Sequence, residues 1–299
     1  MVFNRLDTTK RVFEVIRQTR PSKLYIAADG PRPDRENEAG ETREVRDHVM
    51  HNIDWDCQVH TLFRDTNLGC KKAVSQALGW FFEHEEEGII LEDDCLPDPS
   101  FFPYCSAMLE RYRHDERVMM ISGDNFLPNV PVSDNSYFFS RYFPIWGWAT
   151  WRRAWSLYDA EMSQWPQLRE HGHLEGLYDQ PYMRTYLRNL FNAHYGTSKT
   201  WDVQWFFTCL FNNGLCVIPE VNLISNIGIQ GTSASGKTRN QELTTHHFDM
   251  ESLRHPLMVF PNRKYDDAFM ASNFKSTPTK KKSFIPVCLR FFSKGALSC

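Results

Sequence analysis

A short apolar run, Gly88-Ile89-Ile90-Leu91, leads straight into three consecutive carboxylates, Glu92-Asp93-Asp94. Like charges at the end of a buried strand raise the cost of ionising one another unless a cation sits among them. The triplet therefore reads as a metal-binding turn or as a solvated one, with Asp98 capping the helix expected after Pro99. A further carboxylate stands in a different setting. In Lys199-Thr200-Trp201-Asp202-Val203-Gln204-Trp205-Phe206-Phe207, an acid lies between two tryptophans where an apolar helix begins. Asp in a first helical turn is favoured by the macrodipole, which is its ordinary role. Large apolar rings around it also push its pKa upward, as suits a general base.

The elements that must position these groups alternate. Residues 8–18 place Val12, Val15 and Ile16 on one helical face, and 23–28 reads as a buried strand closed by Asp29-Gly30-Pro31. Residues 35–51 form a helix or a polar loop. A strand over 57–63 leads through Asn67-Leu68-Gly69 into a helix over 71–84, and 88–91 is the next strand. This alternation predicts an α/β fold with a doubly wound, mostly parallel central sheet, whose ligands gather at the carboxyl ends of the strands. There the chain carries Arg5, Asp29, Arg64 and the Glu92-Asp93-Asp94 triplet. Charges of both signs at four strand ends suit a phosphorylated, metal-bound ligand, although each alone reads as a solvated loop charge. Met1-Val2-Phe3 reads as the last part of a strand whose beginning is missing.

Beyond residue 117 the pattern is less regular. Strands are expected over 118–122 and 137–141, followed by the aromatic run Phe143-Pro144-Ile145-Trp146-Gly147-Trp148-Ala149-Thr150-Trp151-Arg152-Arg153-Ala154-Trp155. Trp151 and Trp155, four apart, read as core anchors of a helix. Trp146 and Trp148 flank a glycine that permits close backbone approach, so they read equally as core or as a ring laid on a sugar or nucleotide.

Composition bounds the class. The 299 residues are 41% hydrophobic and 14% aromatic, enough for a packed core over a single domain spanning 1–270. No apolar run approaches the roughly 18 residues that span a bilayer, and no secretory leader pattern opens the chain, so a cytoplasmic location is expected. Eight scattered cysteines without a CxxC pair read as buried thiols. The net charge of -3 is uneven, because residues 271–299 hold six of the 34 basic residues and none of the 37 acidic ones. An acidic body argues against a nucleic-acid surface. The basic, apolar tail over 280–294 reads either as a frayed end or as a contact with anionic lipid.

In order and spacing, Phe3-Asn4-Arg5, Ala28-Asp29-Gly30, Leu91-Glu92-Asp93-Asp94, Phe143-Pro144-Ile145-Trp146-Gly147-Trp148, Trp201-Asp202 and Ile218-Pro219-Glu220 resemble the GT-A glycosyltransferases. Within them the similarity is to N-acetylglucosaminyltransferase I and its bacterial relatives, over roughly residues 1–235. The resemblance implies a Rossmann-like sandwich in which Arg5 and Asp29 hold the nucleotide. It further implies that Asp93 contacts the donor, that Asp94 binds Mn²⁺ or Mg²⁺ with Glu92 beside it, and that Asp202 is the catalytic base. Arg64 and Trp148 complete the expected donor-binding set. Where the family carries a histidine in the helix after the third strand this chain has Gln76, and the loop after Pro219-Glu220 departs from the family.

The expected activity is a metal-dependent, inverting transfer from a nucleotide-diphosphate sugar, a UDP-sugar foremost, to a hydroxyl of a glycan or glycolipid. A hard divalent cation neutralises the departing diphosphate, and one base on the opposite face suffices for a single displacement. Two other readings stand beside it. Gly231-Thr232-Ser233-Ala234-Ser235-Gly236-Lys237-Thr238 fits the GxxxxGK[ST] phosphate loop of an NTPase or kinase, but its neighbours lack the amphipathic helix that such a loop requires. A nucleotidyltransferase or a sugar-nucleotide-binding protein would use the same carboxylates without needing Asp202. His246 and His247 could add a metal ligand, although adjacent histidines on a polar stretch are usually solvated.

Overall fold

The computed structural model describes residues 1–128, 130, 134–228 and 243–274. The phosphate-loop-like segment 231–238 and the basic tail beyond residue 274 lie outside the described residues.

The first layer follows from simple patterning. Helix α1 (Leu6–Thr19) buries Thr9, Val12 and Phe13 and stops at Arg20, which takes a left-handed conformation. Strand β1 (Lys23–Ala28) comes next, followed by helix α2 (Glu38–His51) and strand β2 (Gln58–Phe63), which pairs with β1 in parallel from Lys23↔Gln58 to Ala28↔Phe63. Phe13, Ile26 and Val49, one from each of α1, β1 and α2, form the cluster that holds this layer together. Residues 35–37 remain turn, and the helix begins where Glu38 can accept from the Arg32 side chain and its backbone N–H.

Helix α3 (Gly69–His84) leads into β3 (Glu87–Ile90), and the short strand β4 (Cys95–Pro97) follows the acidic turn. Helix α4 (Phe101–Tyr112) begins just after Asp98, whose carboxylate accepts the N–H of Ser100 at 2.9 Å. The remaining elements are β5 (Val118–Ser122), β6 (Tyr137–Ser140), β7 (Trp148–Trp151), the short helices α5 (Arg152–Trp155), α6 (Trp165–Glu170) and α7 (His173–Leu177), then α8 (Pro181–His194), α9 (Asp202–Phe211), β8 (Leu215–Pro219), β9 (Ile224–Asn226) and α10 (Arg263–Phe274).

The fold is α/β, but its five-stranded sheet, ordered β3-β7-β5-β8-β6, is mostly antiparallel, which corrects the expectation of a mostly parallel one. Only β5 and β8 run parallel; β3/β7, β5/β7 and β6/β8 are antiparallel. The cause lies between β5 and β7. Parallel neighbours need a long crossover, usually a helix, and among the described residues 123–147 carry β6 and loops but no helix. The chain therefore folds back on itself. β1 and β2 form a separate parallel pair.

Trp151 and Trp155 are both buried, but not on one helix: Trp151 ends β7 and Trp155 ends α5. Arg153 lies over the Trp151 ring at 4.3 Å and donates to the carbonyls of Tyr112, Arg113, Asp115 and Val118, closing the turn from α4 to β5. Cys95, Cys105, Cys209 and Cys216 are buried free thiols, whereas Cys57 and Cys70 are half-buried.

Candidate functional site

The charged residues predicted at four strand ends do meet. Arg5, Asp29, Arg64, Glu92 and Asp93 line one cavity together with Asn67 and Cys70. Each is placed by a local device. Gly30 lets the turn after β1 pass so close to Thr66 that a Cβ would fall 2.4 Å from its backbone. Arg46 Nη2 donates to the carbonyls of Asp29 and Arg64, at 3.0 and 2.6 Å, and so ties the ends of β1 and β2. Arg64 Nη2 reaches Gln76 Oε1 at 3.4 Å, which sets the α3 glutamine against this arginine.

Asp29 is differently employed from the expectation. Its carboxylate accepts the N–H groups of Gly30, Leu68 and Gly69 at 3.0–3.1 Å, which caps the start of α3. It lines the cavity, but its oxygens are committed to the backbone around it.

At the acidic turn the cation is a guanidinium. Arg5, which precedes α1, donates one Nη to Asp94 Oδ2 at 2.9 Å and the other to Asp93 Oδ1. The Arg5 side chain is 25% exposed and its partners 5% and 7%, so this is an ion pair largely withdrawn from water. Burial lowers the Arg5 pKa, but the two carboxylates outweigh it and hold the guanidinium charged. Burial pushes the Asp93 carboxyl above its usual range, against the pull of Arg5. Asp93 Oδ2 is buried and makes no hydrogen bond. Glu92 faces the same cavity.

Two features here were not foreseen. The backbone of residues 227 and 228 covers the turn: Ile227 N donates to Asp94 O at 2.8 Å, and a Cβ at Gly228 would fall 2.2 Å from Asp94 Oδ2. Asp124, after β5, is wholly buried; its Oδ2 accepts Trp146 N at 2.7 Å, its Oδ1 has no partner, and burial raises its pKa well above the usual value. Ser122-Gly123-Asp124, an acid just past an apolar strand, is the same signal that marks Glu92.

The donor set at the turn fits a hard divalent cation in kind: three carboxylates, one oxygen buried and unpartnered. Among the described residues no group of three acids, histidines or cysteines is drawn together tightly enough to hold a metal as it stands. His247 lies 3.6 Å from Asp98, the acid just before α4, and is 77% exposed.

Asp202 opens α9 as expected and is 3% exposed. Neither oxygen makes a hydrogen bond of ordinary geometry, although the Thr200 hydroxyl and the first N–H groups of the helix partly offset the burial. Burial dominates and lifts its pKa to about 6. Asp202 is linked to the cavity through two neighbours. Trp201 stacks on Trp148 at 5.5 Å, and Trp148 pairs with Ile90, two residues before Glu92. On the other flank Tyr158 donates to Trp201 O at 3.1 Å, and Lys71, next to Cys70 of the cavity wall, donates its N–H to Lys199 O at 3.0 Å, three residues before Asp202.

Trp148 itself is not a ligand platform. It is 1% exposed and packed among Trp155, Trp201 and Trp205, so its expected donor contact gives way to a core role. Trp146 is likewise buried, edge-on to Phe126. Gly147, with φ +73, turns the chain between them where Ile224 leaves no room for a side chain.

No family model matches this sequence, and no curated protein resembles it significantly.

Proposed function

We propose that this protein is a glycosyltransferase that binds a nucleotide-diphosphate sugar, a UDP-sugar foremost, in the cavity at the ends of β1, β2 and β3 and transfers the sugar to a hydroxyl of a glycan or glycolipid. The observation that carries the reading is the convergence of Arg5, Arg64, Glu92 and Asp93 on one cavity; Asp202, buried and unpartnered, follows Trp201, whose ring stacks on Trp148 next to β3. Arg5 and Arg64 supply positive charge for a diphosphate, and guanidinium groups match its oxygens in pairs. Glu92, Asp93 and Asp94 would hold Mn²⁺ or Mg²⁺, which neutralises charge on the leaving diphosphate.

Asp202 is the base. A carboxyl with a pKa near 6 is a stronger proton acceptor than an ordinary aspartate and remains ionised at neutral pH. With Asp202 as the one base and a single displacement, the anomeric centre is inverted. Asp202 is only 3% exposed, so the acceptor meets the carboxylate only when its cover moves aside. Among the described residues no helix is long and apolar enough to cross a membrane. A cytoplasmic enzyme reaching a lipid-linked acceptor through residues 280–299 completes the proposal.

The test is a panel of nucleotide sugars with Mn²⁺, scored for transfer and for product configuration. Inverted product is expected, with a rate about 10²- to 10⁴-fold lower in Asp202→Asn. Retained configuration, or an undiminished rate in that variant, rejects the assignment. Donor binding without any turnover makes the protein a sugar-nucleotide-binding one.

A further inference from the structure

The β6 edge of the five-stranded sheet carries a loop that is tied down at both ends. Arg254 O accepts Ser136 N at 3.0 Å, and Arg254 N donates to Ser136 Oγ at 2.9 Å. Further along, Pro261 bridges Phe139 in parallel register and Asn262 N donates to Phe139 O at 2.7 Å. Between these ties the strand has only Tyr137 and Phe138, whereas the loop runs from His255 through Phe260. The surplus chain must bulge away from the sheet edge.

The bulge is well held. His255 Nδ1 and the Tyr137 hydroxyl share a hydrogen bond of 2.8 Å, and Leu253 and Val259 pack against the core formed by α4, β5 and β8. Pro256 and Pro261 fix their own φ angles. Leu257, Met258 and Phe260 are left standing in solvent, at 100%, 75% and 71% exposure. Among the described residues the other exposed large apolar side chains, Met50, Leu157, Tyr182 and Tyr195, occur singly and each is less than half exposed. Scattered single residues of that kind are ordinary, but three within four positions on an anchored loop mark a contact surface.

What surrounds the tip decides the partner. Residues 252–265 include Arg254, His255, Arg263 and Lys264 and no acid, and all four of these side chains are exposed. Arg263 reaches Asp267 at 3.6 Å on the next turn of α10, an exposed pair of the kind that contributes little and that a lipid phosphate can compete with. The three apolar side chains offer on the order of a few hundred Å², well short of the roughly 1,000 Å² that a specific protein interface needs. A bilayer surface accepts an apolar tip of this size, together with the cations behind it, without matching its shape.

We propose that the loop over 256–260 inserts Leu257, Met258 and Phe260 into the surface of a membrane containing anionic lipid, with Arg254, Arg263 and Lys264 on the headgroup phosphates. This contact belongs to the folded body and is independent of glycosyl transfer.

The test is co-sedimentation of the full chain with vesicles of phosphatidylglycerol and phosphatidylcholine in equal parts, beside vesicles of phosphatidylcholine alone. Binding is expected to the anionic vesicles and about tenfold or more weaker to the neutral ones. Leu257→Glu, at a wholly exposed position, should by itself weaken binding by about tenfold. Changing Leu257, Met258 and Phe260 together to Ser should bring it to background, with the thermal unfolding midpoint unchanged. Parent protein that ignores the anionic vesicles or binds the neutral ones equally overturns the proposal, as does undiminished binding by both loop variants. Changing Lys280, Lys281 and Lys282 to Gln is the control: binding lost there and kept in the loop variants gives the contact to the tail instead. A parent that is dimeric in solution and becomes monomeric with the three Ser substitutions also overturns it, by making the loop a contact between copies.

Discussion

Asp93 and Asp94 on one side, and Asp202 on the other, are withdrawn from water to nearly the same degree, at 5%, 5% and 3% exposure. Their surroundings are opposite. The pair at the turn shares a guanidinium, while Asp202 has only rings and a helix start. The comparison teaches that burial alone does not set a carboxylate's task. An acid that shares a guanidinium has its negative charge balanced where it stands; an unpartnered one is left close to the pH at which it can take a proton.

Removing the shield is the strongest way to break the contrast. Trp148→Ala takes a wholly buried ring from the stack over Trp201, and a Trp-to-Ala change in a core costs about 3–5 kcal/mol. Denaturant unfolding should show that loss. In the same variant the Asp202 pKa, read by carboxyl NMR, should fall toward the ordinary value as water reaches it.

Removing the shared cation comes next. Arg5→Ala leaves two buried carboxylates facing each other, and breaking such a pair costs about 3 kcal/mol. Adding Asp93→Asn should restore part of it, a coupling that a double-mutant cycle would register and that independent sites would not show.

The third test uses pH. The Asp202 pKa is raised in the folded state, so the group's contribution to stability is complete below its unfolded value near 3.8 and is lost as pH rises through about 6. Asp202→Asn should therefore leave stability little changed at pH 4 and raise it by at most about 3 kcal/mol at pH 7.5. Asp266, also lifted to about 6 by burial, titrates in the same window, so the quantity to follow is the difference between variant and parent. A flat difference would place Asp202 in contact with water.

Much of the first layer was legible because its signals are local. The apolar face of α1, the run 23–28 and the turn at Asp29-Gly30 each announce themselves within a few residues. The strand-end charges were legible for the same reason. Sheet direction was not, because it is decided by partners far apart in sequence: β5 lies beside β8, nearly a hundred residues later, and a strand buried on both faces, as Trp148–Trp151 is, shows no alternation to separate it from a buried helix. Trp148 was misplaced on that account. The ring next to a glycine resembles a platform until Trp201, fifty residues on, covers its face.

Arg46 has a consequence of its own. By joining the carbonyls that end β1 and β2, while Asp29 fastens the first turn of α3 to the same corner, it makes the floor beneath the cavity a single inflexible plate. For the proposed donor to enter, the side that yields is then the one facing this floor, where Arg5 rests on Asp93 and Asp94 and Gly228 packs against Asp94.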